Sequence, residues 1–201
     1  MRLLFLAIFL VYNFCNASPS KYLYQTEDDI VLGSNDAPVT IIDYSSFSCP
    51  TCAHFHNTVL PYLEEKYIKN GKVKLIFRSY VMQPIDLKAS IIPLCAEKTR
   101  YYVFVKVLFN TQKNWASEAS NSLESLEHIA RLGGIFGDDL QRCFDDKSIE
   151  EKLIESRYIA QNELGVDATP SLIINGKLYK GLANKKKLFE IIDSELEANK
   201  K

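Results

Sequence analysis

No charge of either sign dominates this chain: 24 Lys and Arg stand against 25 Asp and Glu, for a formal net charge of -1 over 201 residues. With no basic stripe to neutralise phosphates, nucleic acid is excluded as a partner. The basic clusters that do occur, Lys185-Lys186-Lys187 and Lys200-Lys201, read as solvated faces. Internal repeats and low-complexity stretches are missing too, which excludes solenoid and fibrous architectures. Long apolar runs are lacking: the stretch from Leu3 to Tyr12 holds about ten residues, where a bilayer span needs about 20. What is there is a hydrophobic content of 47%, enough for one globular domain or one domain carrying a large insertion.

The short apolar run reads as a secretory signal. Arg2 supplies the positive start, Leu3 to Tyr12 the apolar segment and Cys15-Asn16-Ala17 a small-residue cleavage context, so residues 1–17 are assigned to a signal peptide. The competing readings are an uncleaved anchor reaching Phe14 and lipidation of Cys15, the latter opposed by the bulk of Phe14.

Removing the signal leaves Cys49, Cys52, Cys95 and Cys143, an even number in a compartment where disulfides persist. Cys49-Pro50-Thr51-Cys52 opens an apolar-periodic run, Ala53 to Tyr67. Two thiols at that spacing close on each other, and the first sits where helix dipole and free backbone N–H groups stabilise a thiolate. Half of a zinc site or a pair of buried structural cysteines are the alternatives. Cys95 and Cys143 are then left to pair, worth on the order of 4 kcal/mol, with two buried free thiols as the alternative.

Val39 to Tyr44, after the Gly33-Ser34-Asn35-Asp36-Ala37-Pro38 turn cluster, reads as a buried strand aimed at the cysteine pair. A helix follows from Pro50, with Cys52, Phe55, Val59 and Leu63 on one face; Pro61 is expected to kink or break it near Leu60, and Asn70-Gly71 to end it. Val73 to Arg78 starts a second strand. Residues 84–165 carry helical periodicity, with Leu123, Leu126, His128, Ile129 and Leu132 as one stripe that Ser122 or Ser125 caps. The end returns to a hairpin, Ser171 to Ile174 and Lys177 to Tyr179 around Asn175-Gly176, and a closing helix from about Asn184 to Leu196.

Strand, helix, strand, helical block, hairpin and helix is the order of an α/β protein with a thioredoxin fold and an inserted helical domain. The chain resembles the DsbA family of thiol–disulfide oxidoreductases of the bacterial periplasm over nearly its whole length after the signal. The resemblance rests on Phe47-Ser48-Cys49-Pro50-Thr51-Cys52-Ala53-His54-Phe55-His56, on Gln112-Lys113-Asn114-Trp115, and on Ala168-Thr169-Pro170-Ser171-Leu172-Ile173-Ile174-Asn175-Gly176. It divides the chain into residues 18–83, the first part of the fold with the cysteine pair; 84–165, the insert; and 166–201, the second part with a cis-proline loop. It implies a periplasmic location after cleavage of the signal, Cys49 as nucleophile and Cys52 as buried resolving thiol. Pro50, Thr51, Thr169 and Pro170 would line the substrate, with Thr169-Pro170 in the cis-proline position; a trans proline opening a strand is the alternative. No cofactor is implied.

Asp43 lies six positions before Cys49, where the superfamily places a buried acid, and would relay the proton of Cys52; an aspartate capping a turn at the strand end is the alternative. His54 and His56 complete the residue types of a Cys2His2 zinc site, but geometry opposes it. His54 lies about 140° around a helix from Cys49 and His56 about 10 Å further along the axis, so no metal is expected and both histidines read as packing or surface residues. The central Pro50-Thr51 dipeptide lacks the histidine of the strongest oxidants in the family, which predicts a milder oxidant.

The expected function is introduction of disulfides into reduced or unfolded exported proteins by a monomer that a DsbB-like membrane partner reoxidises. An isomerase or reductase kept reduced by a membrane donor is the alternative, though Ser18 to Pro38 is too short for the dimerisation domain of such isomerases. A non-catalytic binding module is the third reading, opposed by the intact cysteine pair.

Overall fold

The computed structural model describes residues 20–116 and 121–200; the expected signal peptide, residues 1–17, lies outside them. Among the described residues no helix is long and apolar enough to cross a membrane.

Five strands form one mixed sheet in the order β1-β3-β2-β4-β5, with β1 Val31–Leu32, β2 Val39–Ser45, β3 Val73–Ser79, β4 Ser171–Ile174 and β5 Lys177–Lys180. The centre is the parallel pair β2 and β3, in register from Val39 opposite Val73 to Ser45 opposite Ser79. Both strands are covered on both faces, which their near-continuous apolar sequence requires. β4 runs antiparallel to β2, placing Leu172 opposite Asp43. The β4–β5 hairpin closes on Asn175 (φ 47) and Gly176 (φ 83), the two left-handed positions of a tight primed turn. Asn175 also continues the sheet: its Oδ1 accepts from Thr40 N–H at 2.9 Å and its own N–H donates to Thr40 O at 3.0 Å. The short edge strand β1 was not foreseen; its two residues carry no periodicity by which a sequence could mark them.

Alternation along β2 sorts its side chains by face. Val39 and Ile41 join Phe55, Leu63, Leu75, Leu172, Leu188 and Ile192 in the core on one side of the sheet, and Ile42 and Tyr44 join Ile76, Ile159, Val166 and Ile173 on the other. Asp43 and Ser45 therefore share the face of Val39 and Ile41, the one under the cysteine helix. Asp43 lies inside β2 and not at its end, which removes the turn-capping alternative.

The helical run from Pro50 does not break at Pro61. It continues through α1 (Pro50–His54), a wide π-type turn at Phe55–Val59, α2 (Leu60–Leu63) and a second wide turn at Glu64–Ile68. The first wide turn bonds Leu60 N–H to Phe55 O, five residues back, which relaxes the ladder just where Pro61 has no N–H to offer and its ring needs room. Asn70-Gly71 does end the run: Gly71, at φ 66, donates to Ile68 O at 3.0 Å and Lys72 N–H to Tyr67 O at 2.9 Å, both bonds of a Schellman cap.

Among the described residues six α-helices follow, α3 Pro84–Cys95, α4 Tyr101–Asn110, α5 Gln112–Trp115, α6 Ser122–Leu132, α7 Gly137–Asp145 and α8 Lys147–Asn162, with a 3-10 turn at Lys98–Arg100 leading into α4. Their shared core, around Phe104, Leu108, Phe109, Trp115, Leu126 and Ile129, runs on into Phe47, Cys52 and Phe77 of the thioredoxin part. The stripe expected on α6 is narrower than the sequence suggested: Leu126 and Ile129 are buried, while Leu123 and Leu132 face solvent. Neither Ser122 nor Ser125 is the N-cap, which is Asn121. The closing helix α9, Lys185–Ala198, is capped by Asn184, whose Oδ1 accepts from Lys187 N–H at 3.0 Å.

Cys95 at the end of α3 and Cys143 in α7 are joined as a disulfide, with Cα atoms 6.1 Å apart and a sequence separation of 48. A loop of that length sets a ceiling of about 4 kcal/mol on the stabilisation. Replacing both cysteines with alanine is expected to lower the urea-unfolding free energy by a few kcal/mol, up to that ceiling; an unchanged denaturation midpoint would show that the bond does not brace the helices.

Candidate functional site

Cys49 is the N-cap of α1, with Pro50 in the first helical position, where its missing N–H is no loss. Its backbone (φ -80, ψ 120) is extended, and its carbonyl accepts the first helical bond, from Ala53 N–H at 3.1 Å. The Sγ thus faces the free N–H groups of Thr51 and Cys52. Both cysteines are free thiols, Cys49 half-buried and Cys52 with no exposed surface.

The two thiols are driven apart electrostatically. A hydrogen bond from the Cys52 thiol, followed by those of Thr169 and of the Cys52 and Thr51 backbone N–H groups, brings the Cys49 pKa down to about 5 against the opposing effect of burial. Burial pushes the Cys52 thiol up, reinforced by its bond to Cys49 and by the nearby charges of Cys49 and Asp43. One thiol is a half-buried anion at neutral pH and the other a fully buried acid that keeps its proton.

Beside them lies the Thr169-Pro170 peptide bond, which is cis. The Cys49 Sγ reaches Thr169 O at 3.6 Å. The Thr169 hydroxyl also reaches Met82 Sδ at 3.8 Å, and Met82 is 53% exposed. Pro50 and Thr51 are exposed, Thr169 is half-buried and Pro170 buried. The structure therefore brings Cys49, Cys52, Pro50, Thr51, Thr169 and Pro170 into one cluster, with Cys52 and Pro170 buried in it, Asp43 in the floor and the Cys95–Cys143 bond outside it, in the insert.

The floor holds more than the sequence reading placed there. Asp43, fully buried, accepts from Ser45 Oγ at 2.5 Å through Oδ1 and from His56 Nε2 at 2.8 Å through Oδ2. His56 is stacked on Phe109 with ring centroids 3.9 Å apart, whereas His54 is exposed; the two histidines point away from each other. The helix spacing was the available signal, since His56 falls four residues after Cys52 and shares its inward face. Ser45 follows Asp43 by the strand period of two.

Two further residues fix the loop that carries Cys49. Gln112, from the insert, donates its amide to Phe47 O at 2.6 Å and Cys49 O at 2.9 Å. Asp86, in the first turn of α3, accepts from Ser46 Oγ at 2.7 Å and from Met82 N–H at 2.8 Å, and burial raises its pKa. Asp86 therefore ties the stretch before Cys49 to the stretch that places Met82. Pro84 starting α3 hinted at an acidic first turn; nothing in the sequence marked where that carboxylate points.

This geometry agrees with what the chain is similar to. A family model described as thioredoxin matches residues 25–194. A relative from Bacillus anthracis named disulfide bond formation protein D is 30% identical over 183 residues, covering 84% of this chain and 81% of its own length. A protein-disulfide oxidoreductase of Rickettsia bellii is 32% identical over 151 residues, 75% of this chain; the match spans 58% of that longer relative. Among solved structures, the crystal structure of Wolbachia pipientis alpha-DsbA1 superposes with a TM-score of 0.82 at 31% identity, over 88% of this chain and 95% of that one. The chain belongs to the thioredoxin family, in its DsbA-like branch, with the helical insert that marks that branch.

The depressed Cys49 pKa has a stated pH window. Between about 5 and the ordinary thiol value of 9.0, the unfolded reduced chain holds a proton on Cys49 that the native protein has lost. Thiolate stabilisation of the reduced protein is therefore fully present above that window and lost as pH falls through about 5. Alkylation of Cys49 in the reduced protein is expected to be flat above neutrality and to fall by half near pH 5; a midpoint near the ordinary value would contradict the electrostatics described.

Proposed function

We propose that the protein is a thiol–disulfide oxidoreductase that donates a Cys49–Cys52 disulfide to reduced or unfolded exported proteins. The observation that carries this reading is the asymmetry of the pair: Cys49 accessible and held as a thiolate, Cys52 sealed and held as a thiol. A substrate thiolate attacks the disulfide at the only sulfur it reaches, Cys49, and Cys52 leaves. A second substrate thiol then releases Cys49 as its stabilised anion. Because that anion lowers the free energy of the reduced protein, the disulfide is oxidising, which favours the oxidase direction over isomerase or reductase. The extended substrate would run along Thr169 and Pro170, with Pro50 and Thr51 on the other side of the sulfur.

The finer parts of the reading follow from this direction. An oxidase must be reoxidised, and a membrane partner of the DsbB kind fits that need. The periplasm fits as the compartment, with residues 1–17 as the export signal. The domain division at residues 83 and 165, and a bracing role for Cys95 and Cys143, belong to the same proposal.

Two experiments test it. Cys52→Ser should accumulate substrates in mixed disulfides through Cys49, and mass mapping that found the substrate attached elsewhere would remove Cys49 from its role. Direction is read by mixing the oxidised protein with a reduced two-cysteine peptide, and the reduced protein with a scrambled multi-disulfide substrate. Peptide oxidation well above the rate with glutathione disulfide is expected; efficient recovery of native activity in the second mixture, with no such advantage in the first, would replace the oxidase reading by the isomerase.

A further inference from the structure

We propose that Met82 is a reversible oxidation site: a peroxide converts its thioether to the sulfoxide, and the added oxygen, at the rim of the cysteine site, weakens capture of substrate peptides. The effect on substrate rests on the redox reading given above, whereas the modification itself does not.

Methionine is scarce in this chain, which holds two, Met1 and Met82. Met82 follows β3 and is 53% exposed, while Tyr80 and Val81 just before it are buried. Its backbone is not free to retreat. Met82 N–H donates to Asp86 Oδ2 at 2.8 Å, and the same oxygen accepts at 2.7 Å from the hydroxyl of Ser46, in the stretch that leads to Cys49. On its other side the Met82 Sδ meets the Thr169 hydroxyl at 3.8 Å, and Thr169 O lies 3.6 Å from the Cys49 Sγ. The single thioether among the described residues is thus held at the cis-proline loop, in reach of solvent.

In the oxidised protein it is also the sulfur left open to a peroxide. Cys49 and Cys52 are then joined to each other, and Cys95 is joined to Cys143, so every cysteine among the described residues is held in a disulfide. A disulfide lacks the thiolate on which peroxide attack at cysteine depends. The thioether needs no deprotonation. A lone pair of Sδ attacks one peroxide oxygen, and the O–O bond breaks. The departing hydroxide takes the proton of the new S–OH and leaves as water, so that sulfur gives up two electrons and the peroxide accepts them.

Polarity at the rim is what changes. A thioether is soft apolar surface that adapts to varied partners, and it is only a weak acceptor for the Thr169 hydroxyl. The sulfoxide is polar and chiral; its oxygen accepts from that hydroxyl or from water, and a peptide must strip it of water to make the same contact. The groups that hold the Cys49 anion are the Cys52 thiol, Thr169 and the backbone N–H groups of Thr51 and Cys52, and none of them is altered. The loss therefore falls on binding, which appears in KM and leaves kcat in place.

The test treats the oxidised protein with hydrogen peroxide, removes the reagent, and follows oxidation of a reduced two-cysteine peptide with apolar flanks, using glutathione disulfide as the terminal oxidant. Mass mapping is expected to find one added oxygen, on Met82. The KM for the peptide is expected to rise by about fivefold or more with kcat nearly unchanged. Repair by A- and B-type methionine sulfoxide reductases with dithiothreitol, followed by glutathione disulfide to re-form the Cys49–Cys52 bond, should return KM to its starting value. Met82→Leu, which keeps an apolar side chain without the sulfur, is expected to have a KM that does not respond to peroxide. The proposal is overturned if Met82 stays unmodified under conditions that convert free methionine, if full conversion leaves KM unchanged, or if Met82→Leu loses as much as the parent. A peptide left reduced by the untreated protein overturns the redox reading and with it the effect on substrate, while mass mapping still decides the modification.

Discussion

Cys52 sits where its charge cannot be solvated, and the rest of the site is arranged around that constraint. A thiol sealed under a helix and against the insert core keeps its proton, so its neighbour at the helix N-terminus can be the anion of the pair. The same seal hides the Cys52 sulfur from solvent, leaving Cys49 as the accessible sulfur of the pair. Beneath it the buried Ser45, Asp43 and His56 are joined by hydrogen bonds within an otherwise apolar core.

The insert completes the seal. Trp115 and Phe109 pack over Cys52 and Phe47 in one continuous core, and Gln112 grips the backbone carbonyls on either side of Ser48. Removing that amide would take one bond from each of two carbonyls directly beside the nucleophile, leaving Cys49 O with the Ala53 N–H. The Gln112-Lys113-Asn114-Trp115 segment thus joins two parts of the fold through the very backbone that aims Cys49. Asp86 does the corresponding work on the other side, where it links Ser46 to the stretch bearing Met82 and, through Met82, to Thr169.

Much of this was legible in the sequence because it rests on local chemistry. The strands β2, β3 and β4 were marked by β-branched runs, the hairpin by Asn175-Gly176, the helix start by Cys49-Pro50 and its end by Asn70-Gly71. What failed or was missed depends on neighbours that a sequence does not display. Pro61 should break a regular ladder, but the wide turn before it has no local signature. Leu123 and Leu132 fit a helical stripe and still face solvent, because the partner surface is narrower than the stripe. His56 and Gln112 were visible as residues while their partners, Asp43 and two backbone carbonyls, are brought to them only by the packing of separate elements.

The direction of electron flow turns on how strongly one anion is held. The absence of a histidine between the cysteines suggested a weakly stabilised thiolate and a mild oxidant. In the structure the stabilisation comes chiefly from elsewhere: the Cys52 thiol, Thr169 and two backbone N–H groups together bring Cys49 down to about 5. Thr51 adds its backbone N–H to that set, and its side chain is exposed. A residue between the cysteines is therefore one contributor among several, and the oxidising power of the pair is a property of the whole N-terminal turn and the loop beside it. The turn holds the charge on Cys49 and the core refuses it to Cys52, and on the proposed oxidase reading that difference is what would drive the disulfide toward a substrate thiol.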